Sequence, residues 1–322
     1  MTPALGSEYQ LEQATLKHFK ALGWGTILAK DEIDGDASLL GRNEHTEVVL
    51  KRYLLPFLKT RYSNIPDSAL LEAITTLSRD RSHMQNIPKA NEDVYRLLKD
   101  GIPITYNDTE GIKVTERVWC IDWATPDANH FLIVSQFNVA GSMHKRIPDL
   151  VGFINGIPLL TIELKADDVH LKHAFTDNLT DYKDTIPQLF WYNAFLMISN
   201  GSQSKIGSTT AAWEHFAEWK KIDEESEAGV ISLDTMLKGT CEKSRFLDIV
   251  ENFIVFQEDQ GGLRKLVAKN HQYLGVNNAI NAVHNLKSNA GRLGVFWHTQ
   301  GSGKSASMIF FSQKVLRKLP GN

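Results

Sequence analysis

Cysteine is nearly absent from this sequence, which has only two among its 322 residues, Cys120 and Cys241. The two lie far apart, and neither belongs to a paired motif. A disulfide framework or a zinc knuckle needs several closely spaced cysteines, so the sequence argues against both. A reducing cytoplasm is the simplest setting for such a chain.

Long hydrophobic runs are also missing. No apolar stretch approaches the roughly 20 residues that cross a bilayer. Residues 1–6 have neither the basic stretch nor the apolar core of a secretory signal. We therefore expect no membrane segment. The hydrophobic content of 42% is typical of a globular protein, and the length allows one large domain or two ordinary ones.

An excess of positive charge is the third absence. The sequence has 35 basic and 38 acidic residues, which gives a formal net charge of -3. A protein that coats DNA is usually basic. A basic cleft can still lie within an acidic total. The charge balance therefore neither supports nor excludes binding to nucleic acid.

The order of local patterns predicts an α/β fold, with helices before and around a sheet. Helices are expected first, with Ser7 as the N-cap of the first one, at residues 7–23, 46–59, 68–78 and 91–99. Short β-branched and aromatic runs predict strands at residues 116–122, 130–136, 149–154, 159–165, 194–199 and 293–298. Further helices are expected at residues 168–183, 211–219, 263–274, 277–287 and 305–319.

The same patterns suggest two units joined by a connecting segment. The mixed helix and strand pattern continues to about residue 220, after which the chain becomes polar. We predict a first domain at residues 1–220, a linking segment at residues 221–262 and a second unit at residues 263–322. Pro56 is expected to kink or end the second helix.

Two acidic residues and a lysine on adjacent predicted strands form the most informative motif. Glu163 and Lys165 end a buried-type strand, and Asp149 precedes Glu163 by fourteen residues. Two carboxylates can hold a magnesium ion, and a nearby lysine can orient or help to deprotonate a water that attacks a phosphodiester. The alternative is a solvated edge strand without a chemical role. Charges at the end of a buried strand are, however, costly unless they are partnered.

The hairpin between these strands imposes a geometric condition. Asn155-Gly156 is the strongest turn signal in the chain. A regular two-residue turn would direct Asp149 and Glu163 to opposite faces of the sheet, so a shared metal site requires an offset of one residue. We predict a three-residue turn or a bulge, caused by Pro158, because proline cannot donate to the strand ladder.

Residues outside this set could extend the site. Glu8 and Glu12 lie one turn apart on one helix face. A solvated face is the ordinary interpretation, and the functional one is that Glu12 completes the metal shell. The basic pair Lys145-Arg146 lies close to Asp149 in sequence and could contact DNA phosphates.

A glycine-rich stretch predicts a phosphate-binding loop. It follows the predicted strand at residues 293–298 and precedes a predicted helix, which is the context that such a loop requires. Its candidate nucleotide-binding residues are Thr299, Gly301, Ser302, Gly303, Lys304 and Ser305. Lys304 would reach the β- and γ-phosphates, and the Ser305 hydroxyl would bind magnesium. His298 occupies a position that the strict pattern gives to glycine, and the alternative is a turn that only caps a helix.

With these two motifs in this order, the chain resembles the N-terminal part of the restriction (motor) subunit of type I restriction-modification enzymes. The resemblance spans nearly the whole sequence. It is carried by residues 7–24, 146–149, 163–165, 271–273, 277–280 and 297–305. Together these stretches are highly specific, whereas each alone is less so.

The resemblance implies a fold for each unit. Residues 1–220 would form a nuclease of the PD-(D/E)xK type, a mixed sheet flanked by helices with a helical insertion. Residues 263–322 would begin a RecA-like motor domain of the superfamily 2 helicase type. Asp149, Glu163 and Lys165 would be the catalytic residues, and Glu12 is favoured over Glu8 as a further metal ligand. The implied cofactors are Mg²⁺ and ATP.

The resemblance also implies roles for three other residues. The family's Gln-x-x-x-Tyr motif corresponds to Asn178 and Tyr182, where asparagine shortens the amide by one methylene. An ordinary helical pair one turn apart is the alternative. Gln272 corresponds to the glutamine that reads adenine in superfamily 2 motors.

The expected function is cleavage of double-stranded DNA that depends on ATP and magnesium and is coupled to translocation. The expected partners are double-stranded DNA and the modification (methyltransferase) and specificity subunits, because nothing in the chain resembles a base-reading helix. We expect a fragment whose incomplete motor cannot turn over ATP by itself. Two alternatives stay open: a repair helicase-nuclease, and a non-catalytic scaffold that docks DNA or a partner.

Overall fold

A computed structural model describes residues 8–319, so Ser7, the predicted helix cap, lies outside the described residues. The helices are α1 (Glu8–Ala21), α2 (Lys51–Arg61), α3 (Asp67–Ser78), α4 (Ile87–Asp100), α5 (Thr180–Thr185), α6 (Pro187–Phe190), α7 (Leu233–Cys241), α8 (Lys243–Asn252), α9 (Asn270–His284) and α10 (Lys304–Lys318). A π-helical segment, Ala174–Leu179, leads directly into α5. Within residues 8–319 no helix is both long and apolar enough to span a bilayer.

The strands are β1 (Gly25–Leu28), β2 (Ile102–Asn107), β3 (Lys113–Val118), β4 (Phe131–Ser135), β5 (Val139–Ala140), β6 (Lys145–Arg146), β7 (Leu150–Ile154), β8 (Ile157–Leu164), β9 (Phe195–Ser199), β10 (Ser204–Gly207), β11 (Ile254–Asp259) and β12 (Gly262–Val267). Six of them form one sheet in the order β1-β4-β7-β8-β9-β10. The sheet is mixed: β4, β7 and β8 are antiparallel neighbours, whereas β1 runs parallel to β4 and β9 parallel to β8. The predicted α/β class is confirmed.

The hairpin of β7 and β8 contains the predicted offset. Its turn is the two-residue Asn155-Gly156, in which both residues have a positive φ. The pairing register shifts between Gly152 and Phe153, so that Leu159 is an extra residue beside Pro158. The bulge is confirmed, and the alternative of a three-residue turn is wrong.

Trp24 joins the sheet to helices that are distant in sequence. Its ring packs edge-on against Phe131 of β4 and Phe246 of α8, with centroids 5.0 and 5.3 Å away. Its indole N–H donates a hydrogen bond to the Cys241 carbonyl at 2.9 Å. Helices α7 and α8 belong to the predicted linking segment, residues 221–262, so much of that segment packs on the core through its apolar side chains. The division into domains stays a prediction.

Three predicted elements are wrong. Residues 211–219 contain only a short 3-10 turn, because Ala217 pairs with Ile206 at the sheet edge. The helix predicted at residues 263–274 is instead strand β12, which pairs with β11, followed by α9. Residues 293–298 form no strand, since no strand of the described chain pairs with them.

Several helices differ from their predicted bounds: α4 begins four residues earlier than predicted, and the helix predicted at residues 277–287 is the C-terminal part of α9. Helix α2 runs through Pro56 to Arg61, so proline does not end it. The helix expected at residues 168–183 begins only at the π-helical segment. Helices α2, α3 and α4 lie between β1 and β2 in the chain.

Candidate active site

The β7–β8 hairpin brings the carboxylates of Asp149 and Glu163 together. Leu150 lies opposite Ile162, so the bulge leaves the preceding Asp149 beside Glu163 on the neighbouring strand. Asp149 Oδ2 accepts a hydrogen bond from the Leu164 N–H at 2.7 Å. The two residues are 9% and 1% exposed. They therefore form an adjacent, buried pair of acids.

Burial beside one another makes both carboxylates hard to ionise. Burial raises the pKa of Asp149, and the hydrogen bond from Leu164 only partly offsets it. Burial also raises the pKa of Glu163, and the charge of Asp149 raises it further. Burial lowers the pKa of Lys165, but the charge and hydrogen bond of Glu163, together with the charges of Glu8 and Asp149, outweigh burial, so this pKa is raised. The site thus combines two acidic side chains, Asp149 and Glu163, with one basic side chain, Lys165. One positive charge cannot balance both carboxylates when they are ionised.

A divalent cation fits this donor set. Glu163 Oε2 is buried and has no hydrogen-bond partner within residues 8–319, and leaving a buried carboxylate oxygen unpartnered is costly. Carboxylate oxygens are the ligands that Mg²⁺ prefers, and one or two can suffice because the ion keeps several waters. No three acidic, histidine or cysteine side chains of the described chain form a metal cluster. The structure thus offers a pair of ligands, and Glu12 as a third stays a prediction.

Glu12 lies on α1 and is held by Gln136, a residue that the sequence analysis missed. Gln136 Nε2 donates to Glu12 Oε2 at 2.9 Å. Burial raises the pKa of Glu12, while the bond from Gln136 opposes this effect. Glu8 is exposed and Glu12 is 7% exposed. The charge of Glu8 nevertheless helps to raise the pKa of Asp149 and of Glu163, so Glu8 also lies near the site. A single glutamine after a strand carries no sequence signal that could have singled it out.

The predicted pair Asn178 and Tyr182 reaches the carboxylate of Glu163. The Tyr182 hydroxyl donates to Glu163 Oε1 at 3.4 Å, and Asn178 Nδ2 donates to that hydroxyl at 3.4 Å. Lys165 Nζ donates to the same Oε1 at 3.1 Å. Asn178 lies in the π-helical segment, a conformation that is frequent at functional sites. Side chains from two sequence motifs, Lys165 and Tyr182, thus converge on Glu163 Oε1.

The basic pair Lys145-Arg146 forms strand β6, just before Asp149. Arg146 makes a two-pronged ion pair with Asp181 of α5, with Nη2 donating to Asp181 Oδ1 at 2.9 Å. Lys145 is exposed. Because Arg146 is engaged by a carboxylate, Lys145 is the better placed of the two for a phosphate contact.

The predicted phosphate loop lies immediately before α10. Gly301 and Gly303 have φ angles of 79° and 85°, a region that favours glycine. Lys304 is the first residue of α10, and its Nζ donates to the His298 carbonyl at 2.7 Å. Ser305 is exposed at the start of this helix. The loop is therefore followed by the expected helix. The side chain of its lysine is hydrogen-bonded to a backbone carbonyl just before the loop.

Gln272 contacts this loop from α9. Its Nε2 donates to the Gly303 carbonyl at 3.0 Å, and its Oε1 accepts from the Lys269 N–H at 2.9 Å. The neighbouring His271 ring nitrogen lies 3.1 Å from the Ser302 carbonyl oxygen. The residue predicted to read adenine thus holds the loop backbone and caps its own helix.

Known proteins resemble both parts of the chain. Residues 6–215 match the family described as type I restriction enzyme R protein N terminus. Residues 271–322 match the SWI2/SNF2 ATPase family. The first stretch includes both buried acids, and the second includes Gln272 and the phosphate loop.

Among curated relatives, the chain is 34% identical over 321 residues to the type I restriction enzyme HindI endonuclease subunit of Haemophilus influenzae, a match that covers 96% of this chain and 30% of that protein. It is 28% identical over 346 residues to the putative type I restriction enzyme MjaIXP endonuclease subunit of Methanocaldococcus jannaschii, covering 98% and 32%. The chain thus spans about a third of the length of these relatives. Since the stretch that matches the first family, residues 6–215, is more than half of the sequence, the chain belongs to the type I restriction enzyme R protein N-terminal family.

Proposed function

We propose that this chain carries the nuclease and nucleotide-binding parts of a type I restriction endonuclease subunit. The subunit would cleave double-stranded DNA with Mg²⁺ and couple cleavage to ATP-driven translocation. The strongest support is the bulge in the β7–β8 hairpin, because this offset leaves Asp149 beside Glu163. The two relatives described above carry the name endonuclease subunit.

The buried carboxylates are the proposed metal ligands. Asp149 and Glu163 would hold Mg²⁺, which supplies positive charge and lowers the pKa of a bound water. Lys165, whose pKa is raised, would act as an ammonium donor that orients the attacking water. Tyr182 contacts Glu163 Oε1, and Asn178 contacts the tyrosine hydroxyl. These two would keep the carboxylate in one orientation, as partners of metal ligands commonly do.

The proposed fold follows from the same features. Residues 1–220 would be a PD-(D/E)xK nuclease, supported by the mixed sheet and by acids that end a buried hairpin next to a lysine. Residues 263–322 would begin a RecA-like domain, and residues 221–262 would connect the two. The match of residues 271–322 to an ATPase family supports the second assignment.

ATP is the proposed nucleotide. Its phosphates would lie on the backbone N–H groups of the loop at the N-terminus of α10, where the helix dipole favours negative charge. Lys304 would exchange the His298 carbonyl for phosphate oxygens. The proposed binding residues are those predicted from the sequence, Gln272, Thr299, Gly301, Ser302, Gly303, Lys304 and Ser305.

The proposed partners are double-stranded DNA and the modification and specificity subunits of the restriction complex, in the cytoplasm. Lys145 is the proposed phosphate contact next to the nuclease site, since its side chain is exposed. Selection of the DNA sequence would belong to the specificity subunit. Cleavage that persists without that subunit would favour the repair helicase-nuclease instead.

The test is DNA cleavage by the complete assembly that carries single substitutions. Asp149→Asn and Lys165→Ala should each lower cleavage by about 10²- to 10⁴-fold, the usual contribution of a group that assists proton transfer or charge stabilisation. ATP hydrolysis should continue. Asp167→Asn is the matched control, because Asp167 is an exposed acid close to Lys165. Wild-type cleavage by either active-site variant would favour the scaffold.

A further inference from the structure

A short hairpin, formed by β5 and β6, comes just before Asp149 in the chain. The two strands form a sheet of their own. The tip of the hairpin, residues 141–144, carries Met143, which is 84% exposed, and among the large hydrophobic residues of the described chain only Val295 is more exposed. A single exposed apolar side chain is ordinary on a protein surface. What holds the hairpin and which charges surround it therefore decide whether Met143 has a role.

The hairpin is fixed at its base and at its tip. The Gly141 N–H donates to the His144 carbonyl at 2.8 Å, which closes the tip. Gln188 Nε2 of α6 donates to the Ala140 carbonyl at 2.7 Å. A Cβ at Gly141 would lie 1.9 Å from the Thr185 carbonyl oxygen, so the hairpin rests directly on the end of α5. The exposed tip is thus presented by a backbone held in place, and it loses less entropy on binding a partner than a mobile loop would.

The charges around the hairpin favour an anionic partner. Asp149 and Glu163 are buried acids with one neighbouring lysine, and a DNA phosphate that approaches them is repelled unless cations flank the site. Arg146 pairs with Asp181, whereas Lys145 is exposed and makes no ion pair within residues 8–319. Four residues of chain extend at most about 14 Å. Lys145 can therefore contact a phosphate a few nucleotides from one bound at Asp149.

We propose that the β5–β6 hairpin is a DNA-binding element, in which Lys145 binds a backbone phosphate and Met143 packs against sugars and bases in the adjacent groove. Apolar side chains, methionine among them, enter DNA grooves in this way. This role adds a groove contact to the single phosphate contact of Lys145, and it rests on the proposed function. A protein subunit that bound the tip instead would leave the DNA affinity of the chain independent of Met143.

The test is the affinity of the 322-residue chain for a labelled DNA duplex, measured by fluorescence anisotropy without divalent metal at several salt concentrations. Lys145→Ala should weaken binding and reduce the slope of log affinity against log salt by about 0.9, the value for one phosphate contact. Lys145→Arg should keep the wild-type slope. Met143→Ala should weaken binding about 10-fold at every salt concentration, because it removes an apolar contact, and should leave the slope unchanged.

The β2–β3 hairpin provides a matched control. Its tip also presents an exposed apolar residue followed by an exposed lysine, Ile112 and Lys113, and Ile112 is 57% exposed. Shortly after β3, the Cys120 carbonyl accepts a hydrogen bond from Asn155 Nδ2 at 2.9 Å. This hairpin thus joins the core at the turn of β7 and β8, the opposite end of those strands from Asp149. Ile112→Ala and Lys113→Ala should bind DNA as the wild type does, and losses equal to those of the β5–β6 variants would overturn the proposal.

Cleavage by the complete assembly separates this proposal from the proposed function. If Met143→Ala and Lys145→Ala bind DNA as the wild type does while Asp149→Asn lowers cleavage, the nuclease site stands and the role of the hairpin is wrong. If both hairpin variants lose affinity as stated while Asp149→Asn cleaves normally, the hairpin binds DNA and the chain is a docking scaffold. A wild-type chain that does not bind the duplex at all would also overturn the hairpin proposal.

Discussion

The two candidate sites differ in how their surroundings support them. The carboxylate pair ends a hairpin at the centre of a six-stranded sheet, and both of its strands are buried along their whole length. The phosphate loop follows an apolar run that is unpaired and exposed in the described chain, where Val295 is 93% and Trp297 is 77% exposed. An apolar run becomes a strand only where a neighbour supplies its hydrogen bonds. The backbone geometry of the first site is therefore determined by pairing with neighbouring strands. That of the second site is determined by the local conformation of its glycines.

The polar contacts of the two sites show the same contrast. At the carboxylate pair, Glu163 receives hydrogen bonds from Lys165 and Tyr182, which lie on different elements of the fold. At the loop, Lys304 donates to the carbonyl of His298, six residues earlier in the chain. Gln272 and His271 reach the loop from α9. The contacts of the first site join the sheet to α5, whereas those of the second come from its own backbone and from one helix.

The largest expected effect separates the two sites by function. Lys304→Ala should lower nucleotide binding and DNA cleavage by the complete assembly by at least about 10²-fold, because a positioned cation no longer meets the phosphates. Mg²⁺ binding at the carboxylate pair should not change. Lys287→Ala, at an exposed lysine outside the loop, is the control. Loss of Mg²⁺ binding in the Lys304 variant would show that the sites are not independent.

The second prediction compares two tryptophans in urea unfolding. Trp24 is 3% exposed and packs against three phenylalanines, so Trp24→Ala should lower the free energy of unfolding by about 3–5 kcal/mol. Trp297→Ala should change it by no more than about 0.5 kcal/mol, as is usual for exposed positions. Equal losses would mean that residues 293–298 pack as tightly as the sheet.

The third prediction compares two glycines with a similar backbone. Gly156 and Gly111 have φ angles of 82° and 78°. A Cβ at Gly156 would lie 2.3 Å from the Leu50 carbonyl oxygen, whereas a Cβ at Gly111 would meet nothing within 4 Å. Gly111→Ala should cost about 1–2 kcal/mol of unfolding free energy from backbone strain alone. Gly156→Ala should cost at least about 1 kcal/mol more, and a smaller loss there would show that the hairpin moves away from Leu50.

The last prediction concerns the pH dependence of stability without metal. Folding raises the pKa of Asp149 and Glu163, so their contribution is fully present below the ordinary carboxyl pKa. It is lost as the pH rises through the raised values. Glu163→Gln should flatten this part of the profile, measured as unfolding free energy against pH. Mg²⁺ should restore stability at the high-pH end in the wild type, and a variant profile as steep as that of the wild type would contradict the assignment.

Motifs with strong local chemistry could be predicted from the sequence. The Asn155-Gly156 turn, the bulge beside Pro158 and the position of the phosphate loop follow from the conformations that these residues allow. The requirement that Asp149 and Glu163 share a face was enough to predict an offset of one residue, because strand side chains alternate with a period of two. It did not decide between a three-residue turn and a bulge.

Other elements could not be predicted, because distant partners decide them. Residues 262–267 contain apolar residues at spacings that suit either a helix or a strand, and pairing with β11 selects the strand. Ala217 pairs with Ile206 at the sheet edge. This pairing is incompatible with the helix expected at residues 211–219. Gln136 could not be singled out from the sequence, because its contacts with Glu12 and Asp149 join segments that are far apart in the chain.

The sequence by itself determined which residues are candidates for the chemistry, since acids, lysine, glycines and the turn residues are properties of the chain. The tertiary structure alone decided which of them meet. It buried Asp149 and Glu163 side by side, directed Tyr182 and Lys165 to one oxygen, engaged Arg146 with Asp181 and inserted Gln136 between a helix and a strand. The physical reason is range: backbone preferences act over a few residues, whereas burial and hydrogen bonding depend on which distant segments the packed core brings together.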